Sequence, residues 1–204
     1  MSQQDIDLAM MHRCIALSGT ATAHGDLPIG CLVCDGAEVL AEGTNAVRAT
    51  GDVTRHAEIV ALTGGARRHG RRRLVGATLY STVEPCPMCS FALRELNIAR
   101  VVYALGSPVM GGISKWNVMR DTGLSDVIPE VFGPVPEVVA GLMWQEAARV
   151  WWTWNPLVWA FIQHRGCFTP APGSDGGVFM EAIPAHRRRR HSRLTSSKDA
   201  LDND

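Results

Sequence analysis

The sequence predicts an α/β protein, a three-layer α/β/α sandwich around a mixed five-stranded sheet. Three observations carry that expectation. Segments with apolar residues at helical spacing alternate with short strand-like runs rich in Val and Leu. The first two of those runs lie back to back across Asp35-Gly36, a hairpin turn signal that makes the sheet mixed. Of the 204 residues, 46% are hydrophobic and 20% charged, enough to bury a core.

Taken in order, residues 5–22 carry Ile6, Met10, Cys14 and Leu17 at helical spacing and end near His24-Gly25-Asp26. The run PIGCLVCDGAEVLAEG follows as two strands, and residues 45–53 read as a loop. Residues 55–68 predict a second helix that frays at Gly64-Gly65. An Arg-rich turn, ARRHGRRR, leads to a third strand, ATLYSTV. Pro87 opens a helix to about Glu95, because its missing N–H would be unpaired at the first helical position anyway. RVVYAL is a fourth strand. Residues 106–135 predict a long ordered loop with a helical piece around Lys115 to Arg120. EVVAGL is the fifth strand, and Trp144 to Trp154 the last helix. From Gly166 the composition turns to Pro, Gly, Ser and a basic run, HRRRRH. The expected organisation is therefore one domain, 1–165, and a disordered tail, 166–204.

Charge excludes little, since the formal net charge is zero. The N-terminus lacks the pattern of a signal peptide, and no stretch of about 18 apolar residues suggests a membrane span. Six cysteines without a secretory signal predict reduced thiols and a cytoplasmic home. Cys31 and Cys34, three apart on a strand, point to opposite faces and read as core residues.

The chemistry is concentrated in two short motifs. In EPCPMC, Cys86 and Cys89 sit three apart at a helix start, where both sulfurs project from one face of the first turn. The positive helix N-terminus favours their thiolates. Two thiolates are half of a zinc shell. TRHAEI supplies a third candidate ligand, His56, at another helix start, with Thr54 as the expected cap. One His and two Cys leave a fourth position for water, which separates catalytic zinc from structural zinc. A closed structural site would need a fourth ligand such as His69, Cys31 or Cys34. Glu58, two residues from His56, is the carboxylate that could move protons beside the metal.

H-x-E followed by P-C-x-x-C is the pattern of zinc nucleobase deaminases, here His56-Ala57-Glu58 and Pro85-Cys86-Pro87-Met88-Cys89. The chain also resembles the cytidine deaminase superfamily more widely. GDLPIGCLV, EGTNAV, HAEIVAL, ATLYSTVEPCPMC and RVVYAL fall in the order and spacing of the branch holding tRNA adenosine, guanine and fungal-type cytosine deaminases. The resemblance covers residues 5–105, and more loosely 137–154. It implies one Zn2+ per chain held by His56, Cys86 and Cys89, with Glu58 as the catalytic proton carrier. It further implies that Asn45 binds the base or its sugar. The backbone N–H of Ala57 and the carbonyl of Glu84 would hold the substrate's ring edge and amine.

Two departures from the tRNA-editing branch favour a small heterocyclic substrate, a free nucleobase or nucleoside. GSPVMGGISKW replaces that branch's Asp-x-Lys-x-Gly-Ala type segment, and Arg55 stands where alanine is typical. An adenosine-to-inosine activity on tRNA is the alternative, supported by the basic runs at Arg67 to Arg73 and Arg187 to Arg190. A non-catalytic zinc-binding partner subunit is a further alternative, disfavoured because Glu58 is present. The resemblance implies a homodimer or higher oligomer. Trp144, Trp151 and Trp154 share a helix face, expected in the core or at a subunit contact, with a pocket wall as the other use. Trp116, in the long loop, has the same two readings.

Overall fold

The computed structural model of the chain describes residues 1–68 and 74–170. Helix α1 (Gln3–Ser18) begins at Ser2, which forms a capping box with Asp5. A 3₁₀ stretch, Gly19–His24, ends at left-handed Gly25 and leads into β1 (Gly30–Asp35). Strand β2 (Glu38–Thr44) returns from the hairpin, and a single helical turn α2 (Val47–Thr50) follows. Then come α3 (Ala57–Arg68), β3 (Thr78–Val83), α4 (Pro87–Glu95) and β4 (Arg100–Gly106). Short helices α5 (Thr122–Val127) and α6 (Pro129–Phe132) precede β5 (Glu137–Ala140) and α7 (Trp144–Trp154). Helix α8 (Pro156–His164) and a two-residue strand β6 (Thr169–Pro170) complete the described chain.

The main sheet runs β2-β1-β3-β4-β5. The hairpin and the β1/β3 pair are antiparallel, and the other two pairs are parallel. Strand β6 adds an antiparallel contact at the end of β4, Leu105 with Pro170 and Gly106 with Thr169.

Both faces of the sheet are buried, which is why its strands read as continuous apolar runs. Cys31, Val33, Leu79, Val101 and Tyr103 face α3 and α4, together with Ala57, Ala61, Leu62 and Leu93. Leu32, Cys34, Tyr80, Val102 and Ala104 face α1 and α7, together with Met11, Cys14 and Trp151. The mixed α/β/α sandwich is thus present, and Cys31 and Cys34 lie on opposite faces. Burial pushes the Cys31 thiol well up, and that of Cys34 up to about 12, so both remain neutral.

Gly43 lets α3 lie close on β2, because a Cβ there would meet the Ala57 carbonyl and the Ala61 N–H at 2.4–2.6 Å. On the other face Asp7, 6% exposed, takes two bonds from Arg100 (2.7 and 2.8 Å) and one from the Tyr80 hydroxyl (2.7 Å). Burial raises its pKa, but those bonds outweigh burial and hold the carboxyl below its ordinary value.

Several local expectations need correction. Helix α3 does not fray at Gly64-Gly65. Gly65 is packed between Leu74 and Ala41, and the helix continues to Arg68. The 45–53 loop contains the turn α2. The 106–135 loop is more helical than expected. A helix follows α7 because Asn155 caps it, accepting from the Leu157 and Val158 amides, while Pro156 takes the first helical position. Cys167 to Pro170, at the start of the expected tail, pack on the domain, with Phe168 6% exposed. Residues 171–204, with Arg187 to Arg190, lie outside the described residues, as do His69 and Arg71 to Arg73.

Candidate active site

His56 immediately precedes α3, Cys86 is the N-cap of α4, and Cys89 lies in the first turn of α4. Thr54 does not cap α3 as expected. An Asx turn takes it instead, with its N–H and hydroxyl donating to Asp52 at 2.9 and 2.7 Å. The sheet brings both helix starts to one end. His56 Nδ1 lies 3.5 Å from Cys86 Sγ and 3.6 Å from Cys89 Sγ, and the sulfurs are 3.6 Å apart.

Zinc can be tested on those distances. With Zn–S about 2.3 Å and Zn–N about 2.0–2.1 Å, tetrahedral angles require edges of about 3.6–3.8 Å. The three donors therefore already stand as one face of a zinc tetrahedron. Among the described residues they form the one such His/Cys/acid cluster, and neither Cys31 nor Cys34 joins it. A hydrogen bond from Cys89 lowers the Cys86 thiol to about 4 against the cost of burial, with His56 adding to the effect. The Cys89 thiol, donor in that bond and buried, is pushed up. The bond to Cys86 raises His56.

Glu58 is 4% exposed, with Oε2 3.6 Å from Cys89 Sγ and Oε1 accepting from the Ser81 hydroxyl at 3.2 Å. Burial raises its pKa, and the bond from Ser81 opposes that rise. Its carboxylate, 3.6 Å from Cys89 Sγ, is placed to take and return protons beside the candidate metal donors.

His56, Glu58 and Cys86 line a cavity of about 430 Å³ whose wall includes Ile29, Asn45, Val83, Glu84, Ser107 and Phe168. The structure brings Asn45, His56, Glu58, Glu84 and Cys86 to the cavity, while Cys89, fully buried, keeps its sulfur 3.6 Å from that of Cys86. Ala57 opens α3, where the first N–H groups of a helix have no partner within it. The Glu84 carboxylate is fully engaged elsewhere. It accepts from the N–H groups of Ser107, Ile113 and Ser114 and from the Ser114 hydroxyl, at 2.7–3.0 Å. Those bonds fold residues 107–114 against the site, and a side chain at Gly111 would collide with that carboxylate. Arg94, 1% exposed, holds the next stretch through the carbonyls of Val118 and Asp121 and the Ser125 hydroxyl.

Sequence reasoning missed Asp26, Ser81, Ser107, Met110 and Phe168. A polar Ser81 inside an apolar strand was a usable signal, whereas Phe168 lay beyond the apparent domain end. Among the described arginines, Arg48 and not Arg55 lines the cavity. No described tryptophan lines it. Trp151 is fully buried and stacks edge-on against Phe168 at 5.2 Å, while Trp116 is 60% exposed.

An open His–Cys–Cys centre beside a buried glutamate, on this sheet, is the architecture of the zinc-dependent deaminases. Residues 4–105 match the model of the cytidine and deoxycytidylate deaminase zinc-binding region, and the chain belongs to that family. It is 36% identical over 141 residues to the tRNA(Ile)-lysidine synthase of Deinococcus deserti, covering 69% of this chain and 25% of that protein. The chain thus spans about a quarter of that relative's length. It is 32% identical over 149 residues to the tRNA-specific adenosine deaminase of Haemophilus influenzae, covering 72% of this chain and 82% of the relative. A solved structure from a study of A-to-I editing by tRNA:A34 deaminases superposes with a TM-score of 0.62 at 28% identity. The match covers 70% of this chain and 99% of that one.

Proposed function

We propose that the chain is a zinc-dependent hydrolytic deaminase that converts adenosine in tRNA to inosine. The observation that carries the chemistry is a buried Glu58 beside a cluster of three candidate metal donors on the wall of a cavity of about 430 Å³. The relatives named above support tRNA as the substrate class. This reverses the preference for a free base drawn from the sequence.

Bound zinc supplies a water whose acidity reaches the neutral range. Glu58 takes one proton from the attacking water and gives it to the ring nitrogen as the C–O bond forms; it then takes the hydroxyl proton of the adduct and gives it to the amine, so the C–N bond breaks, the carbonyl forms and ammonia leaves. The Ser81 hydroxyl holds Glu58 Oε1 in place for those transfers. Asn45 binds the base or its sugar, and the Ala57 N–H and the Glu84 carbonyl meet the ring edge and the amine. Leu27, Ile29, Val83 and Phe168 give the cavity apolar walls against which a flat heterocycle can pack. Arg48 is exposed at the rim, suited to a backbone phosphate.

A free base or nucleoside is the second reading, favoured by one observation. Ser107, Met110 and Phe168, all outside the family-matched residues, wall in the cavity. We further propose a homodimer, supported by Met88 and Phe91, exposed on α4 at 37% and 45%. The described cysteines are all free, which supports a reducing, cytoplasmic setting. Among the described residues no helix is long and apolar enough to cross a membrane.

The test is product analysis on an anticodon stem-loop, free bases and nucleosides, with Glu58→Ala as the blank. Inosine in the stem-loop, absent from the blank, supports the first reading. Ammonia from a free base alone supports the second. Turnover of nothing by a zinc-loaded protein would leave a non-catalytic subunit.

A further inference from the structure

Asp26 is a buried carboxylate on the cavity wall, 3% exposed, in the turn before β1. Its Oδ1 accepts from Asn45 Nδ2 at 2.9 Å and from the Arg48 N–H at 2.8 Å, and its Oδ2 accepts from the Ala49 N–H at 2.9 Å. With backbone N–H groups on both oxygens, the carboxylate acts toward Asn45 as an acceptor. The atom of Asn45 that faces it must then be the amide nitrogen, so the partner decides the otherwise ambiguous carboxamide orientation. Among the described residues no donor meets Asn45 Oδ1, and that oxygen is not one of the buried polar atoms left without a partner. It stays accessible, and Asn45 lines the cavity.

We propose that Asp26 is a positioning residue that fixes the Asn45 carboxamide with its oxygen toward the cavity, so the site presents an acceptor to a donor group of the substrate. The inference rests on the deaminase reading and adds to it what Asn45 selects: a sugar hydroxyl or a ring N–H. The same carboxylate holds α2 through the Arg48 and Ala49 amides. It therefore places Val47 and Arg48 at the rim while it orients Asn45 inside.

The experiment compares wild type, Asp26→Asn, and the swapped pair Asp26→Asn with Asn45→Asp. Asp26→Asn keeps the shape but lets the new amide donate, which allows the Asn45 group to turn over. The account expects KM to rise about tenfold, the size of one misdirected hydrogen bond, with kcat changed much less. The swapped pair turns an oxygen back toward the cavity but sets the new residue-26 amide against the Arg48 N–H, so it recovers part of the lost KM. A purely structural Asp26 would lower thermal stability in both variants without that recovery, and this result would overturn the proposal. A second arm needs no substrate: the Asn45 side-chain NH2 pair in 15N spectra, assigned by its loss in Asn45→Asp. A shifted, faster-exchanging pair in Asp26→Asn supports the proposal, and an unmoved pair refutes it. Wild type that releases no ammonia would sink the deaminase reading, and this arm would still decide the Asp26 contact.

Discussion

Residues 4–105 and residues 106–170 meet at one cavity but are held there by different means. In the first region each chemical residue stands at the end of an element fixed by nearby sequence. His56 precedes α3, Cys86 caps α4, and Cys89 follows one turn later. In the second region Ser107, Met110 and Phe168 owe their places to distant partners: the Glu84 carboxylate for 107–114, and Trp151 with β4 for Phe168. The difference teaches that the reaction is encoded locally and the shape of the substrate site through tertiary contacts. The two can change independently.

Glu58→Gln strikes the first region hardest. Activity is expected to fall about 10²–10⁴-fold, with zinc content unchanged by metal analysis. In the zinc-free protein the same change should stabilise. Burial raises the folded-state pKa of Glu58 above its ordinary 4.5, so the folded chain holds a proton that the unfolded chain has released. Stability of the zinc-free protein therefore falls as pH rises from about 4.5 through the raised value, and Glu58→Gln removes that fall. Melting curves across pH, with a chelator present, check the sign.

Asp7→Asn tests the fold away from the cavity. It weakens the hold on Arg100, whose other partner is the exposed Glu137, at a cost of about 3 kcal/mol in denaturant unfolding. Because the Asp7 pKa is lowered, wild type should lose that stability as pH falls through the depressed value.

Glu84→Gln strikes the second region. It sets an amide against N–H groups that need an acceptor, and should cost about 1–3 kcal/mol in the same assay. KM is expected to rise more than kcat falls, since the freed segment carries cavity wall and no ligand. The smallest effect belongs to Phe168→Leu, which trims the wall. It should cost less than about 1.5 kcal/mol and shift the ratio of kcat/KM between nucleoside and stem-loop.

The same contrast explains what could be read in advance. Hairpin, α3, α4 and β3 to β5 announce themselves through period, turn residues and caps that act within a few positions. The candidate metal trio was legible because Cys86 and Cys89 lie at the start of one helix and His56 immediately precedes another. Helix α8 was missed because Pro156, just after the last expected helix, is the first residue of a further helix that Asn155 caps. Asp26 was missed because nothing local to it signals that Asn45, 19 positions later, lies 2.9 Å away. The Glu84 side chain was passed over in favour of its carbonyl, since its partners lie 23–30 residues on.

The most direct test of the central claim is X-ray absorption at the zinc edge of the purified protein. The account predicts one zinc per chain with two sulfurs at about 2.3 Å and two lighter atoms at about 2.0–2.1 Å, one sulfur being lost in Cys86→Ser. A shell of three or four sulfurs, or a zinc-bearing Cys86→Ser protein with an unchanged shell, would contradict an open catalytic centre at His56, Cys86 and Cys89.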